Sequence, residues 1–212
     1  MNPTPQGTGW IEVVTGCMFS GKSEELIRRL RRAQFARQQV VVFKPSLDQR
    51  YSADSVDSHS GLNIRCFVVD SALQIPGLVG TAQVVGIDEA QFFGTELVQI
   101  CEDLANRGHR VIAAGLDQDY LGRPFEPIPQ LLAVAEFITK NLAICMVCGN
   151  PADRSQRVIN RDARFLVGET DAYEARCRRC WRADVFEPIQ QRLPMGENLA
   201  EREPAELVPE DL

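Results

Sequence analysis

Residues Gly16-Cys17-Met18-Phe19-Ser20-Gly21-Lys22-Ser23 form a GxxxxGKS sequence. It sits between an apolar run, Trp10 to Thr15, and a stretch of helical periodicity. No other feature restricts the fold as strongly. A strand that curls through such a loop into a helix turns backbone N–H groups inward onto phosphate oxygens. The start of the helix adds the positive end of its dipole. In this pattern Lys22 is placed to bridge the β- and γ-phosphates of ATP, and Ser23 to offer its hydroxyl oxygen to Mg²⁺.

A second motif lies far downstream. Cys145-Met146-Val147-Cys148 is answered by Cys177-Arg178-Arg179-Cys180 after 28 intervening residues. Each pair places two thiolates on one tight knuckle. Two knuckles complete an S₄ set suited to Zn²⁺, with no position left open for chemistry, so the metal reads as structural. Tied at both ends and free in the middle, the segment between the pairs reads as a lid.

The pattern along the chain supplies the frame. Apolar runs at Trp10–Thr15, Gln39–Lys44, Ile64–Val69, Gln83–Asp88, His109–Gly115 and Phe137–Ile144 predict strands. Helical spacing covers Ser23 to Gln38, with Leu26, Ile27, Leu30 and Phe35 as the apolar stripe, and Gly94 to Asn106. Strands alternating with helices predict an α/β fold with a mostly parallel sheet covered on both faces. Ser46 to Gly61 reads as a long polar connection, a length usual for functional or disordered segments. Three regions follow: a nucleotide-binding core over 1–144, a zinc-ribbon-like lid over 145–186, and an acidic tail over 187–212.

Composition excludes several alternatives. Hydrophobic residues make up 44% of the 212 and charged residues 25%, which suits a globular core. No apolar stretch approaches the length of a membrane span, and the N-terminus lacks a signal sequence. Four of seven cysteines sit in CxxC pairs, which suits metal ligation in a reducing compartment and predicts a cytoplasmic protein. The net charge of −6 belongs to the residues from Asp184 onward. Eight of the 29 acids and two of the 23 bases lie from Asp184 onward, leaving 21 of each upstream. The folded part therefore has no overall bias toward nucleic acid. The arginines at 28, 29, 31, 32 and 37, and at 176, 178, 179 and 182, read as a solvated helix face and a charged knuckle. A nucleic-acid-binding ATPase would also need aromatic stacking positions that are missing here.

Asp88-Glu89 closes the apolar strand QVVGID as an acid pair does beside a phosphate loop. Asp88 is placed to support Mg²⁺, and Glu89 to reach an attacking nucleophile.

The segments GCMFSGKSEELIRRLRR, KPSLDQRY, VVGIDEAQFF, LDQDYLGRPF and YEARCRRC, in this order between Trp10 and Trp181, resemble the zinc-containing thymidine kinases of bacteria and of animal cytosol. The resemblance implies a RecA-like core, a homotetramer, and transfer of the ATP γ-phosphoryl group to the 5′-hydroxyl of thymidine. It implies that Glu89 is the base, taking the proton as the new bond to phosphorus forms. Arg50 matches an arginine near the phosphates, although a surface charge on a loop is an equal reading. By the same carry-over, Met18, Leu116, Tyr120, Phe125, Ser155 and Tyr173 line the nucleoside pocket. Main-chain groups of Arg164, Phe165, Leu166, Val167 and Gly168 hold the pyrimidine. Inhibition by thymidine triphosphate (dTTP) is implied as well. Cys17 and Ser155 depart from common family residues, His59 receives no role, and the acidic tail matches nothing. Deoxyuridine is the competing substrate, because a pocket for one methyl group discriminates by only about 1–3 kcal/mol.

Overall fold

The computed structural model describes residues 7–47, 55–57, 63–159 and 172–183. In chain order the elements are β1 (Trp10–Gly16), α1 (Lys22–Phe35), β2 (Val40–Pro45), β3 (Ser55–Asp57), β4 (Asn63–Arg65), β5 (Phe67–Val69), α2 (Ile75–Leu78), β6 (Val84–Ile87), α3 (Glu96–Asn106), β7 (Arg110–Gly115), α4 (Ile128–Val134), β8 (Phe137–Asn141), β9 (Ala143–Ile144), β10 (Pro151–Ala152), β11 (Arg154–Arg157) and β12 (Tyr173–Arg176). Six of the strands form one sheet in the order β5-β2-β6-β7-β1-β8, and every neighbouring pair is parallel.

Four of the apolar runs become strands buried on both faces, β1, β2, β6 and β7. Alternate side chains divide between two cores. Ile11, Val13, Phe43, Val85, Ile87, Val111 and Ala113 pack on one side with Leu97, Ile100 and Leu104 of α3 and Ile128 and Leu131 of α4. Val14, Val42, Val84, Ile112 and Ala114 pack on the other with Leu26, Ile27, Leu30 and Ala33 of α1. At the N-terminal end of the sheet, Glu12 is buried among donors. It accepts hydrogen bonds from Trp10 Nε1 at 2.8 Å, Arg110 Nε at 2.6 Å and Arg29 Nη1 at 2.7 Å.

Three expectations change. The stripe on α1 is completed by Ala33, and the Phe35 ring is 87% exposed. Five residues beyond Leu30, Phe35 lies about 140° around the helix from the buried stripe. The strand expected over residues 64–69 divides at Cys66, because its halves have different partners. β4 pairs antiparallel with β3, within the connection read as polar loop, whereas β5 joins the main sheet beside β2. The strand expected over residues 137–144 divides at Leu142 for the same reason: β8 runs beside β1, and β9 pairs with β10.

From β9 onward the chain builds a small lobe of two antiparallel pairs, β9–β10 and β11–β12. Its core holds Ala143, Cys145, Ala152, Ala175 and Cys177, together with one residue from the phosphate loop, Cys17. Among the described residues, no helix is long and apolar enough to cross a membrane.

Candidate active site

Because all six strands run the same way, their carboxyl ends meet along one edge, where ligands of such sheets bind. β7 separates β1 from β6, so the loop after β1 and the acid pair after β6 face each other across one intervening strand.

Leaving β1, the chain turns sharply at Gly16, whose φ is 142°. A Cβ at this position would stand 2.3 Å from the carbonyl oxygen of Asn141 on β8, so only glycine lets the loop lie this close to the sheet. The turn closes on itself, with Ser20 Oγ donating to the Cys17 carbonyl at 2.8 Å and Lys22 Nζ donating to the same oxygen at 2.8 Å. Phe19 has a positive φ and its ring is 40% exposed. Helix α1 starts after Gly21 with no side-chain cap, which leaves first-turn N–H groups for an anion.

Alternation along β6 puts Asp88 on the same side of the sheet as α1. Ser23 Oγ, in the first turn of α1, donates to Asp88 Oδ1 at 3.3 Å. These two hard oxygen donors beside a phosphate loop fit Mg²⁺. Glu89 follows in left-handed backbone, φ 49° and ψ 41°, which is strained for a residue with a side chain. The tight turn Ala90–Phe92 behind it fixes that conformation, and the Phe92 N–H donates to the Glu89 carbonyl at 3.0 Å. The Glu89 carboxylate is buried and receives a short hydrogen bond from Gln91 Nε2.

The residues expected around a nucleoside lie on two converging segments. The loop after β7 carries Leu116, Tyr120 and Phe125, and the lobe carries Ser155 and Tyr173. Leu116 N–H donates to Gln91 Oε1 at 3.0 Å. Phe125 meets Phe92 edge-on at 6.1 Å between centroids. The Arg157 guanidinium lies 3.7 Å above the Tyr120 ring, and its Nη2 donates to Tyr173 Oη at 2.9 Å. Arg157 thus ties the loop to β12. Ser155, two residues earlier on the same face of β11, accepts a hydrogen bond at Oγ from the Met18 N–H at 3.0 Å. Met18 and Ser155 are therefore brought together, with a structural bond between them. Arg50 and residues 164–168 lie outside the described residues, as do His59 and the tail.

The four expected metal ligands also come together. All the Sγ atoms of Cys145, Cys148, Cys177 and Cys180 lie within 4.8 Å of one another, with Cys148 Sγ 3.7 Å from Cys177 Sγ and 3.6 Å from Cys180 Sγ. Four sulfurs at about 2.3 Å from a tetrahedral Zn²⁺ are about 3.8 Å apart, so the set fits structural zinc.

Four features escaped sequence reasoning. Gln91 lies in the VVGIDEAQFF segment two residues after Glu89, but it carries no charge that would mark a role. Arg157 sits in no motif, and only its almost complete burial marks it. Lys44, buried at the carboxyl end of β2, looked like an ordinary strand terminus. Asp117 pairs with Lys140 at 2.6 Å, a contact between β8 and the loop after β7 that no spacing reveals.

A strand, glycine loop and helix facing an acid pair one strand away make this a P-loop nucleotide-binding protein, here with a four-cysteine lobe against the loop. Residues 9–181 match the family model described as thymidine kinase, and the chain belongs to that family. It is 61% identical over 173 residues to a thymidine kinase of Rhodothermus sp. (strain ITI 518), covering 82% of this chain and 81% of that protein. It is 57% identical over 181 residues to a thymidine kinase of Bdellovibrio bacteriovorus, covering 85% and 89% respectively.

Proposed function

We propose that this enzyme transfers the γ-phosphoryl group of ATP to the 5′-hydroxyl of thymidine, giving thymidine monophosphate, with Glu89 as the base. Family membership supports the reaction. The observation that supports the role of Glu89 is its buried carboxylate, held in strained backbone one residue after the Asp88 that meets Ser23.

Phosphoryl transfer depends mainly on positioning and on neutralising charge. Lys22 now donates to the Cys17 carbonyl and would exchange that contact for the β- and γ-phosphates. N–H groups at the start of α1 would face the same oxygens. Ser23 and Asp88 would hold Mg²⁺, which neutralises phosphate charge when bound. Glu89 orients the 5′-hydroxyl and accepts its proton as the bond to phosphorus forms, because a carboxylate is far too weak a base to remove it beforehand. Met18, Leu116, Tyr120, Phe125, Ser155 and Tyr173 would enclose the nucleoside.

The test is phosphorylation of thymidine by wild type and by Glu89→Gln at saturating Mg-ATP. A fall of about 10²–10⁴ in kcat is expected for loss of the base. A variant that keeps a tenth of the wild-type kcat would remove Glu89 from this role.

Further parts of the proposal go beyond the reaction. Arg50 near the phosphates and the main chain of residues 164–168 on the pyrimidine are supported by the family resemblance. So is inhibition by dTTP, which spans both halves of the site; unchanged initial rates at saturating dTTP would remove it. The division at 144 is supported by the change of strand partner at Leu142, and the one at 186 by the Pro- and Glu-rich sequence that follows. A homotetramer is supported by the family resemblance and by exposed Ile138 on the edge strand β8, with exposed Leu142, Ile144 and Met146 in the chain that follows it. A monomer by sedimentation would exclude it. A cytoplasmic site of action is supported by the cysteine usage.

A further inference from the structure

Gln91 is 3% exposed and lies between two fixed partners. The Leu116 N–H can only donate, so the amide must turn Oε1 toward it, at 3.0 Å. This leaves Nε2 facing Glu89 Oε2, where it donates a short hydrogen bond. The orientation of the amide is therefore set by a backbone donor and is not free to flip. Space for it is reserved: a Cβ on Gly115 would come within 2.8 Å of Gln91 Oε1 and 2.7 Å of Ile128 Cδ1. The turn that carries Glu89 and Gln91 packs against β2 and β7.

We infer that Gln91 is a positioning residue: its amide holds Oε2 of Glu89, so the carboxylate presents Oε1 to the nucleophile, and it ties that geometry to Leu116 in the nucleoside pocket. This rests on the reading of Glu89 as base. A donor on one oxygen fixes which oxygen of the carboxylate is left to face the nucleophile. It also removes rotation about the last bond of the side chain, in line with a reaction governed by positioning. One neutral side chain then links the pocket that senses the substrate to the group that activates it.

Gln91→Glu isolates this role. It retains an acceptor for the Leu116 N–H and replaces the donor with a second carboxyl group, so the two acids share a proton. The charged groups on the surrounding elements are Asp88 on the same turn, Lys22 at the start of α1, Lys44 at the end of β2, and Asp117 with its partner Lys140. All are common to wild type and variant, as is the titration of ATP, so a difference between the two profiles reads Gln91 alone.

The experiment is kcat against pH at saturating Mg-ATP and thymidine for wild type, Gln91→Glu, Gln91→Met and Glu89→Gln, with the melting temperature of each. For Gln91→Glu, kcat should fall at least about tenfold near neutral pH, and its acid limb should move up by about one unit or more. Both KM values should change less than about threefold. Gln91→Met fills the same space without either hydrogen bond. It should show a smaller upward shift and a raised thymidine KM, and it serves if Gln91→Glu does not fold. Acid limbs within about 0.3 unit of wild type in the folded variants, with kcat lowered equally at all pH values, would reduce Gln91 to packing and overturn the inference. A Glu89→Gln variant that stays active overturns the reading of the base instead. An inactive Glu89→Gln with unmoved Gln91 profiles overturns the inference alone.

Discussion

Ser155 joins two parts of the chain that are 137 residues apart, through one hydroxyl on the Met18 N–H at 3.0 Å. Removing that acceptor leaves a part-buried N–H in the phosphate loop without its partner, worth about 1 kcal/mol. Ser155→Ala should therefore raise the KM for ATP about three- to tenfold, and Ser155→Thr, which keeps the hydroxyl, should restore it. Steady-state kinetics in ATP at saturating thymidine would show this; an unchanged KM for both variants would separate Ser155 from the loop. Residues with a chemical signature were legible in the sequence. Lys22, Ser23, Asp88, Glu89 and the four cysteines declare themselves by type and spacing. Gln91 and Arg157 do not, because their roles come from what folding places opposite them, a backbone N–H in one case and two tyrosine rings in the other. Ser155 reads from the sequence as part of the nucleoside pocket, and its hydroxyl also reaches the phosphate loop.

At the level of elements, the apolar runs were enough to locate β1, β2, β6 and β7, since strands buried on both faces need no alternation. Divisions within a run were not legible. Nothing local in residues 64–69 or 137–144 announces that one half will pair with a different neighbour, because pairing is decided by distant strands. The same dependence governs the stability of the N-terminal edge, where β1, α1 and β7 meet through Glu12. Burial pushes its carboxyl group up, but hydrogen bonds from Arg110 and Trp10 and the charges of Arg110 and Arg29 outweigh it and hold it below its ordinary value of 4.5. With a lowered folded-state value, the stabilisation is present above about pH 4.5 and lost as pH falls through the folded value. Glu12→Gln should cost about 2–4 kcal/mol near neutral pH, because it leaves Arg29 and Arg110 without their buried partner. The difference from wild type should shrink in acid. Urea unfolding of both proteins between pH 3 and 7 would measure it, and a gap independent of pH would exclude Glu12 as its source.

On the scale of the whole molecule, the phosphate loop belongs to two cores. Its helix side rests on the main sheet, while Cys17 packs in the lobe and donates from Sγ to the Ala152 carbonyl at 3.3 Å. Stripping the proposed zinc should therefore loosen more than the lobe. Chelation is expected to lower the melting temperature and to weaken equilibrium binding of Mg-ATP several-fold, with both restored by Zn²⁺; intact ATP affinity in the stripped protein would show that the loop stands without the lobe. A shared core also sets an order of events during synthesis. Residues 16–23 leave the ribosome early, yet the groups that brace them, Ala152, Ser155 and Cys177, are more than 120 residues behind. At about 5–20 residues per second, the loop waits several seconds or longer for its supports. A nascent chain halted before β11 should thus hold a formed sheet and an unfinished nucleotide site, so that the ability to grip ATP arrives late, with the last of the described strands to be made.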